Sequence, residues 1–161
     1  MADTNGLNDA MAIQNILLSY ASKRVAILGP PCAGKSTILR HISEALDMDV
    51  VLFPQLSAAE KQVVFRKPWS PSIGREMKHL ARSRITVSPG HPVFATVVLE
   101  VDFIVYLKID DGLLKKRIAR RQQDRQQAFN DVKGIQEQLE ADILRSGIPF
   151  IEFPITEYDK D

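Results

Sequence analysis

Eight consecutive residues limit this chain more than any other feature: Gly29-Pro30-Pro31-Cys32-Ala33-Gly34-Lys35-Ser36. They satisfy the pattern G-x-x-x-x-G-K-[ST], in which each fixed position has a physical task. The glycines let the backbone curl so that successive N–H groups point inward at phosphate oxygens. Lys35 brings a point charge to the outer phosphates, and the Ser36 hydroxyl is placed to bind Mg²⁺. Ser36 and Thr37 also open a helix whose positive end faces the anion. The flanks are those the motif requires: an apolar run at residues 25–28 suits a buried strand, and residues 36–46 place Ile38, Leu39, Ile42 and Leu46 on one helical face. Residues 29–37 are therefore read as a nucleotide-binding loop that holds the phosphates of ATP or GTP together with Mg²⁺. Cys32 occupies a place where a small side chain is needed. A redox role, through a thiol activated by the helix N-terminus, is the alternative.

The rest of the chain alternates strand and helix signals. Residues 1–6 read as a disordered start, and 7–21 as a short amphipathic helix. Further strands are expected at 49–53, 85–87, 102–109 and 149–153. Helices are expected at 73–82 and 112–127, with another running to about residue 145. A helical reading of 92–100 stands against its valines. Ser57-Ala58-Ala59-Glu60 is a capping-box pattern that can open a further short helix. Strands alternating with helices imply an α/β, three-layer fold: about five parallel strands with helices on both faces, plus the N-terminal helix. Residues 7–161 are read as one domain.

Composition narrows the setting. A length of 161 residues, 45% of them hydrophobic, suits a single core. The net charge of +1 gives no general argument for nucleic acid or membrane partners. One cysteine excludes an internal disulfide. No apolar run approaches the roughly 18 residues of a membrane span, and the start lacks the form of a secretory signal. A cytoplasmic protein is expected.

A basic segment at 111–125 carries six basic residues against two acids, with Arg117, Arg121 and Arg125 spaced by four on one side of a helix. Guanidinium groups stabilise the charge that spreads over a phosphoryl group in transfer; a solvated helical face is the alternative. Residues 101–110, Val-Asp-Phe-Ile-Val-Tyr-Leu-Lys-Ile-Asp, followed by Leu113-Leu114-Lys115-Lys116-Arg117-Ile118-Ala119-Arg120-Arg121, resemble the fourth strand and lid start of the nucleoside monophosphate kinases of the adenylate-kinase-like branch. The positions that match are Asp102, Leu107, Arg117 and Arg121. The resemblance implies a lid at about 112–130 and an acceptor region at about 54–84. It also implies phosphate contacts from Arg117 and Arg121, joined by Arg125, with Lys35 acting beside them in catalysis.

Between residues 61 and 90, seven basic residues face only Glu76, a net +6 that would draw a phosphorylated acceptor. Arg75 is the candidate for the acceptor's phosphate, and His91 a second acceptor-side candidate just past the expected third strand. Trp69 is read either as a stacking surface for a base or as a loop aromatic over the core edge. The same kinases usually end the third strand in an acid, and the residue in that place here is Pro89; Asp47 and Asp49 are the remote acids that could substitute. With no evident general base, a nucleoside monophosphate is favoured as acceptor. Three functions remain in play: an ATP-dependent small-molecule kinase, a regulatory nucleotide-binding module of kinase fold, and a kinase or adaptor for nucleic-acid ends, the last disfavoured because few aromatics interleave the basic stretch.

Overall fold

The computed structural model describes residues 4–120 and 125–155, with side chains described from 7 to 120 and from 128 to 155. Among them, the strands are β1 (Val25–Leu28), β2 (Leu46–Asp47), β3 (Val93–Ala95), β4 (Phe103–Ile109) and β5 (Phe150–Ile155). The helices are α1 (Thr4–Leu18), α2 (Lys35–Leu39), α3 (Met48–Leu52), α4 (Ala58–Val64), α5 (Pro71–Arg84), α6 (Asp111–Ala119) and α7 (Arg125–Ser146). The strands form one parallel sheet in the order β2-β3-β1-β4-β5.

Both faces of the sheet are covered, which explains why β1 is buried at all four positions. Successive side chains of a strand point to opposite faces. Ala26, Leu28, Ile104 and Tyr106 join a core with residues of α3, α4, α5 and α7, whereas Val25, Ile27, Val105 and Leu107 join a second core with α1, α2 and α6. The N-terminal helix belongs to this second layer: Ala10 and Ile13 are buried, and Tyr20, just beyond α1, stacks on Phe103 with ring centroids 3.8 Å apart. Tyr106 donates to Glu140 Oε2 at 2.6 Å, and Lys108 Nζ reaches the same oxygen at 2.9 Å, which fastens α7 to β4. No helix of the described residues is long and apolar enough to cross a membrane.

Several expected elements differ. Helix α1 begins at Thr4, three residues before the start expected at residue 7, and residues 1–3 lie outside the described residues. The helix expected at 36–46 stops at Leu39. His41 N and Ile42 N then bond the carbonyls of Ile38 and Leu39 in tighter turns, and Glu44, at φ 66°, swings the chain into β2. Residues 49–53 are not a strand: Asp47 caps α3 by accepting from Asp49 N at 2.9 Å, and burial falls on Met48 and Leu52, four apart, while Val50 is exposed. The third strand is Val93–Ala95, not 85–87. A turn through Pro89-Gly90, closed by a bridge between Ser88 and His91, precedes it. Residues 92–100 therefore hold a strand and an extended loop instead of a helix.

Candidate functional site

The loop 29–37 leaves the carboxyl end of β1, the strand between β3 and β4. Gly34 has φ 96°, a conformation that glycine adopts without steric cost, and Cys32 also lies in the left-handed region at φ 71°. Ala33 is fully buried and backs the loop from inside. Lys35 Nζ donates to the carbonyls of Gly29 at 2.9 Å and Pro30 at 2.7 Å, so the ammonium is held over the curl of its own loop. Arg117, in the last turn of α6, donates through Nη1 to Cys32 O at 3.1 Å. Asp110 caps α6 by accepting from Leu113 N at 2.8 Å, and Leu113, Leu114 and Ile118 are buried; together they fix the helix that delivers Arg117. Arg121 and the side chain of Arg125 lie outside the described residues.

Two cavities meet at this loop. One, of about 200 Å³, is lined by Cys32, Gly34, Lys35, Ser36 and Thr37 of the loop, by Asp47 at the end of β2 and Asp49 in α3, and by Thr96 just after β3. The other, of about 190 Å³, lies between α5 and α7 and is mostly apolar, with Phe53, Val64, Ile73, Met77 and Leu139 in its walls. Pro31, Asp49 and Thr96 line both. A carboxylate therefore stands at the junction. Desolvation pushes the Asp49 pKa up and the negative charge of Asp47 adds to the effect, with Lys35 opposing them. Asp49 keeps a solvent-exposed face.

The strand assignment changes what the acids mean. With β3 at 93–95, the residue that follows the third strand in space is Thr96, and Pro89 lies at the strand's other end. Asp47 and Asp49, reached through the neighbouring edge strand β2, bring carboxylates to the loop instead. Sequence spacing could not supply this, because it needs the order of strands in space. Oxygen donors from Ser36, Asp47, Asp49 and Thr96 on one cavity suit Mg²⁺, a hard cation that takes one or two carboxylates and fills its remaining positions with phosphate oxygens and water.

The acceptor-side candidates separate. His91 precedes β3 and so stands at the amino edge of the sheet, where its Nδ1 lies 3.2 Å from Glu44. Its expected place past the third strand is corrected with that strand. Arg75 is exposed on α5 and lines neither cavity. The +6 stretch is balanced by groups from elsewhere in the chain: Arg84 makes a two-pronged pair with Glu60 at 2.8 and 2.6 Å, and Lys78 lies 3.3 Å from Asp142. The first of these pairs holds the Glu60 carboxyl down at about 2 and joins α4 to α5. The expected capping box is present too, with Ser57 Oγ accepting from Glu60 N and Glu60 Oε1 from Ser57 N. Asp102 takes Arg24 through both carboxylate oxygens at the amino edge of β4 and does not reach the loop. Trp69 packs between α5 and α7 and also forms part of the apolar cavity wall.

A phosphate loop after a central strand, in a parallel sheet of order 2-3-1-4-5 covered on both faces, decides the architecture. The chain has a P-loop kinase fold. No family model and no curated protein matches the sequence. Among solved structures, the chain is similar to deoxyadenosine kinase from M. mycoides. With the products dCMP and a flexible dCDP bound, that enzyme has 15% identity, coverage of 80% of this chain and 88% of that one, and a TM-score of 0.47. With dATP bound, the values are 15%, 85%, 93% and 0.47. The chain is also similar to the YorR protein of Bacillus subtilis in complex with phosphorylated GDP, at 16% identity over 84% of this chain and 87% of that one, TM-score 0.43.

Proposed function

We propose that this chain is an ATP-dependent kinase that transfers the γ-phosphate to a hydroxyl of a small, uncharged acceptor. The observation that carries this reading is the meeting of the phosphate-loop cavity and the apolar cavity at Asp49 and Thr96. Phosphates on the loop and an acceptor between α5 and α7 would bring a hydroxyl to Asp49, the one carboxylate among the described residues that borders both. Asp49, which lines both cavities, is placed to accept the hydroxyl proton as the new O–P bond forms. Lys35 and Arg117 face the charge that spreads over the transferred group, and Ser36 with Asp47 would hold Mg²⁺. Bound there, the cation would supply charge neutralisation for the phosphates of ATP, or of GTP in its place. The segment at about 112–130, with Arg121 and Arg125, would act as the lid.

Sequence alone favours a phosphorylated acceptor. The cavity supports a neutral one, because none of its lining residues among those described is cationic and Arg75 stands elsewhere. A non-catalytic module drew its support from the acid missing at Pro89, and the presence of Asp47 and Asp49 beside the loop weighs against it. The pairing of Arg84 and Lys78 likewise weakens a track for nucleic-acid ends. The test is ADP formation from ATP and Mg²⁺ across matched nucleosides, nucleoside monophosphates and simple alcohols, with a control lacking acceptor. Stimulation by a neutral alcohol is expected; a flat panel alongside normal ATP binding would refute the proposal.

A further inference from the structure

We infer that the amino edge of the sheet holds a second anion site, a groove that takes a small phosphate monoester and is linked to the apolar cavity by Asp142. The inference does not rest on the kinase reading. The groove, a cavity of about 410 Å³, opens where the ends of α5 and α7 meet the amino ends of β1 and β5. Arg24 stands directly before β1, whereas the phosphate loop leaves the other end of that strand. At about 3.3 Å per residue, the four residues of β1 put roughly 13 Å between the two sites.

Lys78 and Arg82 are one turn apart on α5 and share a helix face, and Arg145 lies in the last turn of α7. A cation near a helix end offsets the negative end of the dipole, which accounts for such residues singly. It does not account for three of them lining one groove. Asp142 is the acid that two of them share: Lys78 Nζ lies 3.3 Å from one oxygen, and Arg145 Nη2 lies 2.5 Å from the other. Arg24 and Glu100 also line the groove and offset each other, and Asp102 already engages Arg24 through both oxygens.

Arg82 is the cation left over. Arg84, two positions on, meets Glu60 through two bonds, but Arg82 reaches no carboxylate among the described residues. Its bond from Nη1 to Val98 O is 3.4 Å, longer than a good N–H···O contact. Lys78, Arg82 and Arg145 thus set three positive charges against the single negative charge of Asp142, a surplus that a dianionic phosphate matches. A bare phosphate leaves much of the space empty. Val98, Val101 and Ile148 give a short carbon body an apolar surface, and no aromatic side chain among the described residues lines the groove to stack a base.

Asp142 lines the apolar cavity as well. A phosphate that draws Lys78 and Arg145 to itself removes the partners of that carboxylate, so filling the groove changes the charge in a wall that also contains Trp69. Trp69 is the only tryptophan in the chain, and its emission reads this link.

Calorimetric titration of the full chain with ribose 5-phosphate, beside ribose and inorganic phosphate, tests the site. The ester should bind, ribose should not, and inorganic phosphate should bind more weakly than the ester. Filling the phosphate loop with ATP beforehand should leave the ester's affinity unchanged, as should Lys35→Ala. Arg82→Gln and Arg145→Gln should each weaken the ester about 10–100-fold, the worth of a hydrogen bond to a charged group, with ATP affinity unaltered. Trp69 emission should shift when the ester is added to the ATP-filled protein. The wild-type competition with ATP decides the matter even where a variant does not fold. No binding of the ester, its displacement by ATP, or full affinity in both arginine variants would overturn the second site. Inorganic phosphate binding as tightly as the ester would overturn the ester assignment, and unchanged emission would overturn the link through Asp142.

Discussion

Arg117 Nη1 donates to the carbonyl oxygen of Cys32 at 3.1 Å, across 85 residues of sequence, and so ties the end of α6 to the crown of the phosphate loop. The bond puts a permanent cation against a loop whose other charged group is Lys35. A charge placed there acts most where negative charge develops, so Arg117→Ala should lower kcat more than it weakens ATP binding. About 10²–10³-fold in kcat is expected, by analogy with removal of one stabilising donor from a preorganised site. Steady-state kinetics set beside ATP titration check this, and equal losses in both would reduce Arg117 to a structural tie.

Asp49 borders both cavities. Asp49→Asn keeps the shape and removes the proton acceptor, so kcat should fall by about 10²–10⁴-fold, the usual worth of general base catalysis. The helix cap at Asp47 uses the backbone N–H of residue 49, which the substitution leaves in place. Circular dichroism should therefore be unchanged. Activity within a factor of two of wild type would remove Asp49 from the mechanism.

Gly134 gives Trp69 its seat. A Cβ at 134 would fall 2.6 Å from Cζ3 and 2.9 Å from Cε3 of the indole, nearer than side chains pack. Gly134→Ala gains helix propensity but forces the ring to move, with a net cost of about 1–3 kcal/mol, as in other overpacked interiors. Denaturant midpoints and tryptophan emission should shift together. A stabilised variant with unchanged emission would show that the contact is not maintained.

Acid should weaken the Arg24–Asp102 tie in a defined window. The Arg24 side chain and backbone N–H, both bonded to the carboxylate, hold the Asp102 pKa down from 3.8 to about 2. A depressed folded-state pKa gives stability that is in full above the unfolded value and is lost as pH falls through the folded one. The stability gap between wild type and Asp102→Asn should hold above about pH 4 and close as pH approaches 2. Urea titrations at several pH values measure it, and a gap that widens on acidification would contradict the assignment.

The phosphate loop, β1 and β4 are legible because their signals are local: a fixed motif, and apolar runs long enough or well enough bounded to admit one reading. The capping box at Ser57 and Glu60 is legible for the same reason. The region between α2 and β3 is not. Val50-Val51-Leu52-Phe53 is an apolar run too short to separate strand from helix by period, and the cap at Asp47 decided it. Two short apolar runs, 85–87 and 93–95, flank one turn, and only pairing with β1 selects the second. That choice moved His91 to the far edge of the sheet and brought Thr96, Asp47 and Asp49 to the loop.

The most direct test of the account follows the label from γ-³²P-ATP in a single turnover, with enzyme in excess over ATP and a neutral nucleoside present, for wild type and Lys35→Ala. Wild type should move the label onto the nucleoside as a phosphate monoester, and Lys35→Ala should leave it on ATP while retaining the wild-type circular dichroism spectrum. Label that stays on ATP in the wild type, or appears only as inorganic phosphate, would contradict the claim that this chain is a kinase for a neutral acceptor.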